Sequence, residues 1–320
     1  MSSAPPSPNA LHTGAGLASR EFGVLWVRGA DALDLLNRLT TNKLETLPEG
    51  LSRVTVLTNG DGRVVDLLHL GALDGGLWCL TSPGRAEPVT EWLDTYTFGE
   101  DITVASRTDD VAVLTLAGPH AAEVLAAAGA PVDALPVDGL AHANIGGADC
   151  VLWSYAFGPG DAYYVLADAA GAPAVRAALE TAGAEPVDAD AWEAYRIASG
   201  VPAYGAEYGS FNNPLEARLE WAISDDKGCY TGQEVIARLQ TYRKVQRLLM
   251  AVRLSGPAPV GAALRADGKE AGALTSVAAQ PDGSWAALAL VRTAHAQAGV
   301  SCTVDGVLGV SASLQDPSGG

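Results

Sequence analysis

The chain has 320 residues, of which 48% are hydrophobic and 18% charged, a composition that fills two or three domains and excludes global disorder. Its 37 acidic residues against 20 basic ones leave a net charge of −17, which disfavours direct nucleic-acid binding because phosphates carry the same sign. Four scattered cysteines, Cys79, Cys150, Cys229 and Cys302, form no C-x-x-C pair; they exclude a disulfide scaffold and a zinc finger and suit reduced thiols in a cytoplasmic protein.

Residues 1–16, rich in Ser, Pro, Ala and Gly, are expected as a flexible tail, without the basic and apolar segments of a secretory leader. Residues 22–27 read as a strand. Gly29-Ala30 ends it, and Asp31 is placed to cap a helix reaching about Leu39, with Leu33, Leu35 and Leu36 on its apolar face. Residues 54–57 and 64–70 read as two strands about the turn Asn59-Gly60-Asp61-Gly62, a strong hairpin signal. After a strand at 77–80, Ser82-Pro83 predicts a capped helix start, with Val89, Trp92, Leu93 and Tyr96 facing a core. Strands at 111–116, 150–153 and 163–166 then mix with helices at 119–128, 174–182 and 191–199. No regular βαβ rhythm emerges, so the fold class is α+β with largely antiparallel sheets. Beyond about Leu254, Gly, Pro and Asp turns separate short apolar runs, the texture of a small closed β-barrel. Residues 315–320 are expected as a second flexible tail. No run approaches about 18 uninterrupted apolar residues, so no membrane span is expected.

Residues 218–253 break the acidic trend: seven cations face four acids there. Such a segment is read either as a solvated basic face or as an anion-facing surface. Cys229 sits within it, in Lys227-Gly228-Cys229-Tyr230-Thr231-Gly232-Gln233-Glu234. Thr231 and Glu234 have capping-box spacing, which predicts a helix starting after Thr231 with Val235, Ile236 and Leu239 on its apolar stripe. Partial positive charge at that helix start, together with Lys227, favours thiolate over thiol at Cys229. The alternative is a small buried cysteine in a tight turn, flanked by glycines that allow close backbone approach. Cys79, Cys150 and Cys302 lie in apolar strand-like runs and are expected in the core. No metal-ligand spacing is legible among the five histidines.

The stretch from Lys227 through Glu234 to Val235-Ile236-Ala237-Arg238 resembles the signature of the YgfZ family, folate-binding-type proteins linked to iron–sulfur cluster assembly or repair. That family is related to the aminomethyltransferase (T-protein) of the glycine cleavage system. Further resemblances are Val27-x-Gly29-Ala30-Asp31-Ala32, the hairpin from Leu57 to Asp66, Arg196-Ile197-x-x-Gly200-x-Pro202, Pro214-Leu215-Glu216 and Gly272-x-Leu274-Thr275-Ser276. The resemblance implies two interleaved ferredoxin-like lobes around a central hole (residues 17–245) and a C-terminal β-barrel (residues 246–314). It implies tetrahydrofolate as ligand, with Phe22 and Trp192 at the positions where family aromatics accompany folate. An aromatic face suits stacking on a pterin; the other reading of Trp192 is a core tryptophan. Glycine-cleavage relatives carry a Glu where this chain has Ala198, and paired aspartates where it has Asp66-Leu67. Asp66 is therefore the surviving candidate catalytic carboxylate, or else an exposed strand acid.

Three functions follow. The favoured one is support of iron–sulfur enzymes or cluster carriers, with Cys229 as the functional thiol. The second is a folate-dependent aminomethyltransferase or other C1-transfer enzyme, disfavoured by Ala198 and Leu67. The third is a docking scaffold using the basic segment after Arg238, without folate. A link to tRNA modification is expected only indirectly, through cluster-bearing enzymes.

Overall fold

The computed structural model describes residues 9–157 and 160–317. A single helical turn, α1 (Ala10–Thr13), leads into β1 (Gly16–Ser19) and β2 (Gly23–Arg28). Helix α2 (Ala32–Leu39) is followed by β3 (Ser52–Thr58), β4 (Val64–Leu73) and β5 (Gly76–Thr81). Next come α3 (Ala86–Thr95), β6 (Thr103–Ser106), β7 (Val111–Ala117) and α4 (Ala121–Ala127). Strands β8 (Leu140–Ile145), β9 (Ala148–Phe157) and β10 (Gly160–Asp168) precede α5 (Ala172–Thr181), β11 (Glu185–Pro186) and α6 (Ala189–Ala198). Helix α7 (Gln233–Tyr242) opens the last part, and β12 (Arg247–Leu254), β13 (Ala263–Ala266), β14 (Lys269–Ala279), β15 (Trp285–Arg292), β16 (Ser301–Val304) and β17 (Ser311–Gln315) complete it.

The chain divides into two units, one of residues 1–57, 66–192 and 224–230, the other of residues 58–65, 193–223 and 231–320. The first is α+β and holds two sheets. One runs β11-β1-β7-β10-β9-β8 and the other β3-β4-β5-β2-β6. The chain visits the first sheet with β1, builds the second with β2 to β6, and returns with β7, which is the interleaving expected. Leu17, Leu116, Leu125, Leu152, Val165 and Val175 form the core between the six-stranded sheet and helices α4 and α5. The two sheets meet where Leu51 bridges Gly139 and the Ser52 N–H donates to the Asp138 carbonyl at 2.7 Å. Gly71 lies at that seam. A Cβ there would stand 2.6 Å from Leu140 Cδ1 and 3.1 Å from Trp153 Cη2, so only hydrogen fits.

The second unit carries the closed barrel β12-β15-β14-β13-β16-β17. Closure pairs every edge strand, and Met250, Val252, Leu264, Leu274, Val291 and Leu314 fill the interior. Beside it, Arg196 reaches fully buried Glu207 at 3.0 Å and the Ser276 hydroxyl at 2.9 Å, and Ser276 donates to Glu207 at 2.6 Å. Arg196 thus serves a buried ion pair.

Three local expectations are corrected. Residues 9–16 are packed rather than loose: Ala10 and Leu11 are buried, and β1 follows at once; residues 1–8 and 318–320 lie outside the described residues. Helix α3 starts at Ala86, with Arg85 as N-cap residue, because Ser82 turns its N–H and hydroxyl to Asp66. Asp31 does precede α2, but its carboxylate accepts from the Asp101 N–H at 2.7 Å instead of capping its own helix. Overpacking the seam supplies a test of the interlocked sheets. Gly71→Val is expected to lower stability by about 1–3 kcal/mol in urea unfolding, whereas Gly75→Val, at a turn with nothing within 4 Å of its Cβ position, keeps the seam intact and is expected to add only backbone strain from its positive φ.

Candidate functional site

The cysteine loop, residues 224–230, belongs to the first unit. It is fixed at both ends. The Ser224 N–H donates to the Thr41 carbonyl at 3.1 Å. Lys227 is buried, and its ammonium donates to the main-chain carbonyls of Asn37, Thr40 and Asn42 at 2.7, 2.6 and 2.7 Å. These carbonyls cluster at the C-terminal end of α2, where unpaired carbonyls carry negative partial charge. Asn42 is held in turn: its N–H donates to the Thr55 hydroxyl, and its side-chain amide donates to the Val54 carbonyl. Burial pushes the Lys227 pKa down to about 8, opposed by the Glu45 carboxylate. Tyr230 is buried with its ring 5.2 Å from the ammonium, and loss of solvent pushes its phenol up to about 12.

Cys229, between these two buried residues, is exposed, which removes the reading of a cysteine filling a tight turn. Cys79, Cys150 and Cys302 are buried as expected. Burial raises all three thiols, that of Cys150 to about 11, and Asp66 adds to the rise at Cys79. Lys227, expected to place a full charge beside the thiol, is committed to the carbonyl cage instead.

The motif's second half, from Thr231, belongs to the second unit. Helix α7 starts at Gln233, and Gly232, not Thr231, is its N-cap residue, with φ +83°. A Cβ on Gly232 would stand 2.5 Å from the Asn59 carbonyl oxygen and 2.9 Å from Gly62 Cα, so the tip of the β3–β4 hairpin requires glycine there. The Thr58 hydroxyl donates to the Thr231 carbonyl at 2.6 Å. Glu234 pairs with Arg238 at 3.2 Å on the helix surface. The capping box is therefore replaced by a glycine cap held against the hairpin.

Phe22 and Trp192 are brought together in the first unit by a residue that the sequence reading missed. The Arg20 guanidinium lies 4.6 Å from the Phe22 ring centre and 4.8 Å from that of Trp192. Around them, Phe157 packs on Trp192 at 5.1 Å, and Tyr164 meets Phe22 edge-on at 5.3 Å and stacks on Tyr155 at 3.7 Å. His69 sits edge-on to both tyrosines, with the Tyr164 hydroxyl 3.5 Å from its Nδ1. Desolvation, with Arg20 nearby, pushes the His69 pKa down to about 3, so the ring stays neutral. Trp192, Phe157, Tyr155 and Tyr164 are buried, so Trp192 packs as a core tryptophan, while Phe22 and Arg20 are half-buried at the edge of the group. Ala198 belongs to the second unit and is exposed.

Asp66 is neither on a ligand surface nor an exposed strand acid. It is fully buried on β4. Its carboxylate accepts from the Leu67 N–H at 2.8 Å, the Ser82 N–H at 3.1 Å and the Ser82 hydroxyl at 2.5 Å. The catalytic role expected for it gives way to tying β4 to the segment before α3. The basic segment is also largely used internally. Arg218 bonds the Leu249 carbonyl, Lys227 fills its cage, Arg238 pairs with Glu234, and Arg247 pairs with buried Glu216. An anion-facing surface is thereby reduced mainly to exposed Arg253 on β12 and to Arg243 and Lys244 at the end of α7, of which Lys244 lies 5.7 Å from the Tyr242 ring.

Burial raises the Asp66 pKa to about 6 against the pull of its three donors. A folded-state pKa above the unfolded value of about 3.9 gives stability that is complete at low pH and is lost as pH rises through about 6. The wild type is expected to lose up to roughly 3 kcal/mol relative to Asp66→Asn between pH 4 and 7, measured as the difference in urea unfolding free energies across that range.

The GCVT N-terminal domain matches residues 9–227, and the CAF17 C-terminal β-barrel domain matches residues 247–318. A chloroplastic protein of Arabidopsis thaliana that bears the name of a transferase is 31% identical over 82% of this chain, which spans 61% of that protein's length. An aminomethyltransferase of Herpetosiphon aurantiacus is 28% identical over 92% of this chain and 83% of its own. The crystal structure of glycine cleavage system aminomethyltransferase T from Bartonella henselae superposes with a TM-score of 0.85 at 22% identity, covering 97% of this chain and 88% of that one. With the GCVT domain matching well over half of its length and the CAF17-type barrel following in tandem, the chain belongs to the GcvT-like family, in its CAF17/YgfZ-type branch.

Proposed function

We propose that this protein supports the assembly, maintenance or repair of iron–sulfur enzymes, with Cys229 as its working thiol and a tetrahydrofolate-type molecule as its ligand. The observation that carries the reading is the contrast among the cysteines: three are buried in sheets and barrel, and Cys229 alone among the four is exposed, between two buried anchors. The CAF17-type barrel supports the iron–sulfur assignment.

Folate is supported by the GCVT domain and by the aromatic group around Arg20. Phe22 and Trp192 would hold the planar part, and Arg20 would meet a carboxylate. Tetrahydrofolate, when bound, supplies one-carbon chemistry. The chain's own residues supply the aromatic faces, the cation and a neutral His69. Aminomethyl transfer is the weaker reading, because a general acid or base must reach the proton it moves. Asp66 is sealed from solvent by Ser82 and Leu67, and Ala198 offers no acceptor.

The test is made in cells lacking the protein, by assaying a [4Fe–4S] enzyme such as aconitase under oxidative stress. Wild type is expected to restore the activity, and Cys229→Ser at matched protein level is expected to leave it near that of the deletion. Equal rescue by both would remove the thiol from the mechanism, and the lack of any defect would remove the iron–sulfur role.

A further inference from the structure

The signature lysine has no part in the chemistry described so far, yet it makes the most concentrated set of polar contacts in the loop. Three main-chain carbonyls converge on one ammonium at 2.6–2.7 Å. An ammonium offers three donors and no acceptor, so the cage uses all of them. The three acceptors lie 185 to 190 residues away along the chain, and no side-chain carboxylate is among them. The groups facing this site from the elements around it are Glu45, whose carboxylate accepts from the Asn37 amide, the Lys43–Asp226 pair, and Tyr230 with Asp225 acting on its phenol. The cage is two residues from the exposed thiol, and Gly228, with nothing within 4 Å of its Cβ position, is the only residue between them. A glycine at that place leaves the loop without a packing constraint of its own, so its position depends on its neighbours.

We propose that Lys227 is the positioning residue for Cys229: its ammonium, seated among the carbonyls of Asn37, Thr40 and Asn42, fixes the turn that presents the thiol to solvent. The charge and the three-donor geometry do this together. An uncharged side chain of the same length fills the space but strands three acceptors, which is costly when they are buried. A guanidinium keeps the charge but spreads its donors over a planar fork and cannot converge them on one point. The role rests on reading Cys229 as the working thiol, and its test is made on the isolated protein so that the two can fail separately.

The experiment compares wild type, Lys227→Met and Lys227→Arg by amide hydrogen exchange and by the rate of Cys229 alkylation with iodoacetamide, normalised to glutathione. Barrel strands β12 to β15 serve as the internal reference for folding. Lys227→Met is expected to speed exchange across residues 225–231 by at least about tenfold and to shift the alkylation rate, with barrel exchange unchanged. Lys227→Arg is expected to fall between the two, recovering part of the protection. Should the Met variant fail to fold, the Arg variant decides: faster exchange confined to residues 225–231 supports the assignment. Exchange and alkylation equal to wild type in the folded variants would overturn it, as would loosening spread evenly over the whole first unit. Loss of loop protection combined with normal iron–sulfur rescue by Cys229→Ser would leave the positioning role standing and remove only the function assigned to the thiol.

Discussion

A single ammonium inside a ring of carbonyls is the constraint on which the cysteine loop depends. Burying a charge is costly, and the cost is offset only when its donors are all satisfied. Lys227 meets that condition with main-chain atoms, which cannot rotate away. The main chain from Asn37 to Asn42 therefore has to be held first, and it is: by helix α2, by the Asn42 contacts to Val54 and Thr55, and by the Asn37 side chain, whose oxygen accepts from the Leu44 N–H. The interleaved sheets of the first unit supply that support. The signature cysteine is thus placed by residues from the first sixth of the chain.

The same logic separates Asp66 from a catalytic carboxylate. Three donors surround it, and two of them come from Ser82. An acid so enclosed is a fastener whose titration tunes stability. The candidate ligand group has the opposite character. Arg20 stacks against two rings, with no carboxylate among its described contacts.

Much of the fold was legible in the sequence. The Asn59-Gly60-Asp61-Gly62 turn, the period of α2, the buried strand cysteines and the Gly-punctuated barrel all carry their signal within a few residues. Asn59 closes its own turn by accepting from the Asp61 and Arg63 N–H groups. The failures share a cause: in each, a distant partner outbid the local rule. Ser82 had the look of a helix cap but answers Asp66. Thr231 had capping-box spacing, but the hairpin tip sits against Gly232 and makes that glycine the cap. Lys227 stands beside the thiol in sequence, and nothing near it in the chain announces the carbonyls of Asn37, Thr40 and Asn42. Arg20 is a lone cation in a strand-flanking segment and carries no local signature; only the convergence of Phe22 and Trp192 on it gives it meaning.

The central claim is that the fold presents one thiol and hides three. Cysteine-resolved labelling of the native wild-type protein, with limiting iodoacetamide and mass-spectrometric readout, tests it most directly. The account predicts that Cys229 is modified first and that Cys79, Cys150 and Cys302 react only once the protein is unfolded. Labelling of any of those three at the rate of Cys229, or a Cys229 that resists modification until unfolding, would contradict it.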